Sequence, residues 1–187
     1  GMPTPGFPML FVKPTTAIIG TGEAIVYPRQ GQQVEFEAEL AVVMGRPTRH
    51  VGEERALDYV LGYTCGNDVS ERVIQKAEMK MGALLVGKGF DTFNPLGPVI
   101  ATGLDPTNLD VKARLNGEER QNANTSDLLF GVAKLVSYIS QAMYLLPGDV
   151  IMTGTPAGVG PIAPGDVVEI DIGGIGVLSN PVVSEER

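Results

Sequence analysis

Apolar residues fall in short bursts along this chain, rich in valine and isoleucine and separated by turn formers. Twenty-four glycines and 14 prolines punctuate the bursts, the pattern of many strands joined by turns. Strands are predicted over residues 10–13, 23–27, 34–44, 98–101, 110–116, 149–154, 166–172 and 175–183. Helical spacing with one apolar stripe is predicted for 52–63 and 70–82, and for a longer segment, 126–145, that opens on Ser126 as an N-cap. Strands and helices do not alternate regularly, so the expected fold class is a β-rich α+β body with helices on its flanks. Neither a fixed-period repeat nor a linker divides the chain, and one domain over residues 1–187 is expected.

Within 34–44 the alternation takes an unusual form. Glu35, Glu37 and Glu39 occupy every second position, with Phe36, Ala38 and Leu40 on the opposite face of an extended chain. One reading is a solvated face, the usual state of a half-buried antiparallel strand. The other is a cation site. No Lys, Arg or Thr interrupts the row, and the same face continues into Ala41 and Val43, so the carboxylates run toward an interior where they need a compensating cation. A hard divalent ion accepts oxygen from two such side chains. A third oxygen could come from Asp68, which taken alone reads as a helix cap. Arg72 and Gln75 lie one and two helical turns beyond it, suited to hold a carboxylate.

Composition narrows the partners. The 187 residues are 43% hydrophobic with a formal net charge of −8, a mean hydropathy of +0.10 and a pI near 4.6. Such a chain can bury a core but offers no cationic patch for nucleic acid or an anionic membrane. No apolar run is long enough to span a bilayer. The single cysteine, Cys65, excludes an internal disulfide framework and favours a cytoplasmic or organelle-matrix setting.

Seven ordered blocks covering nearly the whole chain resemble the fumarylacetoacetate hydrolase family: "FVKPTTAIIG", "EFEAELAVVMG", "GYTCGNDVSERVIQ", "GKGFDTFNPLGPV", "NGEERQNANTSDLLF", "LLPGDVIMTGTPAGVGPI" and "GIGVLSNPV". The resemblance implies a mixed β-sandwich roll with flanking helices. It places the family's metal ligands on Glu37, Glu39 and Asp68, with Mg²⁺ or Mn²⁺ as the ion and Glu35 behind the pair. It places substrate contacts on Arg72, Gln75, Gly154 and Thr155, the last two in the Gly-Thr-Pro loop that ends at Pro156, and the active-site lysine on Lys88, which without the family would read as a surface lysine. The implied activity is metal-dependent hydrolysis of a carbon–carbon bond in a small anionic 2,4-dioxo or 2-oxo acid of fumarylacetoacetate or acylpyruvate type, by a homodimer. The implied alternatives are an oxaloacetate-type decarboxylase and a hydroxymuconate-type isomerase. A metal-binding scaffold subunit without turnover is the non-enzymatic one.

Two departures from the family pattern stand out. The histidine-bearing lid segment that family hydrolases carry ahead of residue 8 is not in this sequence, and the one histidine, His50, sits in a polar stretch that reads as surface loop. Val73 stands where relatives often have Asp, which concerns the helix's local polar contacts and not the metal ligands.

Overall fold

Two five-stranded sheets packed across one apolar core carry most of the chain in the computed structural model, which describes residues 5–186. In chain order the elements are β1 (Ile18–Ile19), β2 (Ile25–Tyr27), β3 (Val34–Phe36), β4 (Ala38–Met44), β5 (Val60–Asn67), β6 (Ser70–Glu71), α1 (Arg72–Lys80) and α2 (Val86–Gly89). They continue with β7 (Asn94–Ala101), β8 (Asp110–Leu115), β9 (Glu118–Asn124), α3 (Val132–Ala142), β10 (Val150–Met152), β11 (Gly160–Pro161), β12 (Val167–Ile172) and β13 (Gly176–Ser184). Single-turn 3₁₀ segments lie at Thr15–Ala17 and Thr125–Asp127, and a longer one at Glu53–Tyr59.

The first sheet has the order β1-β7-β5-β4-β10 and the second β2-β13-β12-β8-β9. A small third sheet, β11-β3-β6, branches from the first. Ladders are antiparallel apart from β1 with β7 and β2 with β13. Leu40, Val42 and Met44 of β4 and Cys65 of β5 pack against Val111 and Ala113 of β8, Ile170 and Ile172 of β12 and Leu178 of β13. Each fully buried aliphatic side chain of this kind contributes about 2 kcal/mol. The β-rich α+β class is therefore found, as a roll of mixed sheets with few helices. No helix among the described residues is long and apolar enough to cross a membrane.

Several elements differ from their sequence expectation. Residues 10–13 form no strand, and the 34–44 run is two strands broken at Glu37. Every position of β4 is buried, since it lies inside the first sheet with β5 and β10 on either side. The segment 52–63 is no α-helix but a 3₁₀ stretch running into β5, whose Val60, Tyr63 and Thr64 favour extended backbone. Asn124, not Ser126, caps the 3₁₀ turn before α3, and α3 itself starts six residues after Ser126. Strand β9 follows a two-residue turn at Asn116 (φ 54) and Gly117 (φ 82), the positive pair that a type I′ hairpin requires.

The loop between β10 and β11 is pinned by a close approach. Gly158 has φ +102, and a Cβ there would overlap the Arg120 carbonyl oxygen in β9. Gly158→Ala should cost about 2 kcal/mol through backbone conformation alone, with the overlap added. A lowered urea midpoint is the expected readout, and an unchanged one would contradict the packing.

Candidate active site

The polar centre of the molecule is built on the break between β3 and β4. There the chain leaves the small sheet, where β3 pairs with β6 and β11, for the large one, where β4 pairs with β5 and β10. A break leaves backbone donors without ladder partners, and buried donors must find others. Two side-chain amides supply them: Asn67 Oδ1 accepts from the Glu37 N–H at 3.0 Å and Gln121 Oε1 from the Ala38 N–H at 2.9 Å. The Glu37 carbonyl accepts from the Asp68 N–H at 2.9 Å, tying the end of β5 to the break.

Glu37, Glu39 and Asp68 converge here, with one carboxylate oxygen from each lying within 4.8 Å of the others. All three are buried. Hard oxygen donors alone face one another, a set that fits a divalent ion such as Mg²⁺ or Mn²⁺. Soft ligands are elsewhere: His50 is exposed, and Cys65 lies in the apolar core, where burial pushes its thiol up to about 12. The helix-cap role open to Asp68 belongs instead to Glu71, whose carboxylate accepts from the Ile74 N–H at 2.6 Å and from the Gln32 and Gln33 N–H groups at 2.9 Å.

The row of glutamates is not left uncompensated, because cations distant in sequence enter it. Arg72, at the start of α1, donates to Glu35 at 2.7 Å, to Glu37, and to Gln75 Oε1 at 2.8 Å. Glu35 therefore orients Arg72 and is no part of the three-carboxylate group. Lys88 in α2, only 3% exposed, bridges Glu37 at 2.9 Å and Asp68 at 2.5 Å, with Phe11 beneath its ammonium at 5.1 Å from ring centroid to Nζ. Lys13 holds the other Asp68 oxygen at 2.6 Å and the Lys88 carbonyl at 2.6 Å. The short helix under Lys88 is fixed by Glu78, whose carboxylate accepts from the Val86 and Gly87 N–H groups at 2.7 and 2.9 Å. Gly87 lets α2 lie against α1, since a Cβ there would come within 2.6 Å of the Gln75 nitrogen.

These contacts set the protonation states. Burial alone would raise the Asp68 carboxyl, but the Lys13 and Lys88 ammonium groups hold it below the ordinary range. Burial and then the Asp68 charge raise Glu37, despite Lys88 and Arg72. Glu39 is pushed well above the ordinary glutamate value by burial and by the neighbouring Asp68 and Glu37 charges, with the Gly154 N–H, at 2.7 Å, as its one direct donor among the described residues.

The Gly-Thr-Pro loop adjoins this cluster through that bond. The Gly154 N–H is thus taken up by Glu39, while Thr155 Oγ1 accepts from Gln121 Nε2 at 2.9 Å. Beyond the loop lies a cavity of about 250 Å³ lined by Leu40, Leu128, Phe130 and Leu135 among others, which none of the three carboxylates lines. The structure thus brings Glu37, Glu39, Asp68, Arg72, Gln75 and Lys88 into one network and joins Gly154 and Thr155 to its edge. Lys13, Asn67 and Gln121 belong to the same network and were not singled out from sequence. Lys13 stands in the quoted "FVKPTTAIIG" block, which was the available signal.

The fold is shared with known proteins. A family model described as "Fumarylacetoacetate (FAA) hydrolase C-terminal" matches residues 1–183. The crystal structure of 5-carboxymethyl-2-hydroxymuconate delta-isomerase from Mycobacterium smegmatis superposes with a TM-score of 0.94 at 49% identity, covering 100% of this chain and 73% of that one. Fumarylpyruvate hydrolase from Pseudomonas aeruginosa, in complex with Mn²⁺ and pyruvate, gives 0.89 at 34% identity over 94% of this chain and 78% of that one. The mitochondrial oxaloacetate tautomerase of Xenopus laevis is 42% identical over 97% of this chain and 60% of its own length.

Two outcomes follow from the charges. Because the Glu39 value is raised on folding, its contribution to metal-free stability is full below the ordinary glutamate value and is lost as pH rises through the raised one. Divalent-ion binding needs the ionised form, so it should strengthen over the same window and release protons. Mn²⁺ titrations at mildly acidic pH should give heats that vary with the buffer's ionisation enthalpy; buffer-independent heat would contradict the assignment. Asp68→Asn should abolish that binding and also lower metal-free stability by about 3 kcal/mol, since it strips a buried counter-charge from two lysines. A gain in stability on chemical denaturation would show that those ion pairs do not form.

Proposed function

The chain belongs to the fumarylacetoacetate hydrolase family, and from that premise we propose that it is a divalent-metal-dependent enzyme that cleaves a carbon–carbon bond in small 2,4-dioxo or related 2-oxo acids. The observation that carries this reading is the buried convergence of Glu37, Glu39 and Asp68. These three residues would hold Mg²⁺ or Mn²⁺. The ion would supply Lewis-acid stabilisation of the negative charge that develops on a keto oxygen when the adjacent bond breaks.

The rest of the site is suited to an anion. Glu35, Glu37, Glu39 and Asp68 bring four negative charges, and Lys13, Lys88 and Arg72 three positive ones. With a divalent ion added and all groups ionised, the cluster carries one net positive charge, which suits one carboxylate of a 2-oxo acid. Arg72 is held in a fixed orientation by Glu35 and Gln75, so its position needs no reordering when substrate arrives. Lys88 is the catalytic residue of this reading: its desolvated ammonium is fixed against the cluster by two carboxylates and supports negative charge that grows nearby. Lys13 adds a second ammonium on the Asp68 side. Gln75 and the hydroxyl of Thr155 offer polar contacts to substrate, and Gly154 keeps the loop against Glu39.

Isomerisation or tautomerisation is a second reading, favoured by the 49% identical isomerase and the 42% identical oxaloacetate tautomerase. It would use the same charge stabilisation with proton movement alone, and loss of CO₂ would use it with a different breaking bond. A cytoplasmic homodimer is the setting proposed.

Acylpyruvates, oxaloacetate and a hydroxymuconate, each offered with Mn²⁺ and with EDTA, separate these readings by their products on chromatography. Hydrolysis should release two acids from an acylpyruvate, disappear with EDTA and return with excess Mn²⁺. Lys88→Met should lower kcat about a hundredfold or more. Rearrangement of the hydroxymuconate without release of a second acid would favour isomerisation, and turnover indifferent to EDTA would overturn the metal assignment.

A further inference from the structure

We infer that Gln121 is a positioning residue that fixes the polarity of the Thr155 hydroxyl, so that its proton is offered to substrate and not to the protein. The inference deepens the 2-oxo-acid reading and rests on it.

Gln121 projects from β9 and is 1% exposed. Its Oε1 accepts from the Ala38 N–H at 2.9 Å, and its Nε2 donates to Thr155 Oγ1 at 2.9 Å and to the Pro156 carbonyl at 2.8 Å. The two backbone partners determine which way round the amide sits. Turning it over would set its NH₂ against the Ala38 N–H, leaving that buried donor without a partner at a cost of about 1–3 kcal/mol, and would set its oxygen against the carbonyl of the half-buried Pro156. The group facing Thr155 is therefore a donor.

A hydroxyl has one proton and two lone pairs. Since Thr155 Oγ1 accepts a hydrogen bond from Gln121, its own proton is free to be offered elsewhere, and no hydrogen bond among the described residues has Thr155 Oγ1 as donor. Thr155 is partly open to solvent, and its neighbour Gly154 touches Glu39. The open hydroxyl proton thus stands at the edge of the carboxylate cluster, where an oxyanion or carboxylate oxygen of a 2-oxo acid would receive it. The same amide satisfies the break between Glu37 and Glu39, so one side chain ties the proposed ligand strand to the loop that meets substrate.

The variant Q121E tests the polarity with almost no change of shape. Once ionised, its side chain still accepts from Ala38 but forces the Thr155 hydroxyl to donate to it; burial raises the pH of that ionisation, so the comparison is made at the alkaline end of the protein's stable range. Pyruvate titrated onto the Mn²⁺-loaded protein is the probe, alongside Mn²⁺ titrated alone. Expected results are a loss of about tenfold or more in pyruvate affinity for Q121E and for Thr155→Val, retained Mn²⁺ binding, and retained sensitivity to Q121E in the Thr155→Ser background. In the Thr155→Val background, Q121E should cause no further loss. Q121M, which brings no charge, goes through the same cycle if Q121E does not fold. Unchanged pyruvate affinity in the Gln121 variant, or an equal loss in the Thr155→Val background, overturns the inference alone. Failure of the unmodified Mn²⁺-loaded protein to bind pyruvate overturns the 2-oxo-acid reading and the inference with it.

Discussion

Buried charge must be balanced where it lies, and that requirement organises this molecule. Four carboxylates from two adjacent strands and one turn are enclosed together with two lysines and an arginine drawn from three separate stretches of chain. Leaving any one of these charges alone in the interior would cost several kcal/mol. The lysines and Arg72 compensate three of the carboxylates, and the raised Glu39 keeps a proton longest. The metal-free cluster is close to neutral in this way, and a divalent ion tips it toward positive charge. The proposed preference for an anionic substrate follows from that small imbalance, not from the chain's net charge, which is strongly negative.

The backbone serves the same requirement. A continuous strand from Val34 to Met44 would keep its N–H groups in one ladder. The observed chain changes sheets at Glu37, with Asn67 and Gln121 filling the gap. Each amide also belongs to a neighbouring element, β5 or β9, so the break, the Asp68 turn and the Gly-Thr-Pro loop are held as one body. Preorganisation of this kind is what electrostatic catalysis requires, because dipoles and charges that are already in place need not reorganise during reaction.

The sequence makes much of this legible, unevenly. Strands dense in Val and Ile, such as β12 and β13, appear where alternation predicts them, since their pairing and burial reward the same side chains that favour extended backbone. Residues 52–63 mislead because one apolar spacing crosses from a 3₁₀ stretch into β5, and periodicity does not mark where the conformation changes. The break at Glu37 is silent for a different reason: the alternation continues through it, and the amides that make it possible stand 30 and 83 residues away. Glu37, Glu39, Asp68 and Lys88 could be picked out by their place in ordered motifs. Lys13 also stands in one of those motifs, but its contact with Asp68, across 55 residues, is not written there. The need of the glutamate row for compensating cations is legible from sequence, but the side chains that meet it, Arg72 and Lys88, come from elsewhere in the chain.

The central claim is that Glu37, Glu39 and Asp68 together bind one divalent ion. Anomalous diffraction from crystals soaked in Mn²⁺ tests it most directly. The account predicts a single strong peak at bonding distance from all three carboxylates, with at least one of the Lys13 and Lys88 ammonium groups moved off Asp68. Both lysines still paired with Asp68 and no peak between the carboxylates would contradict it.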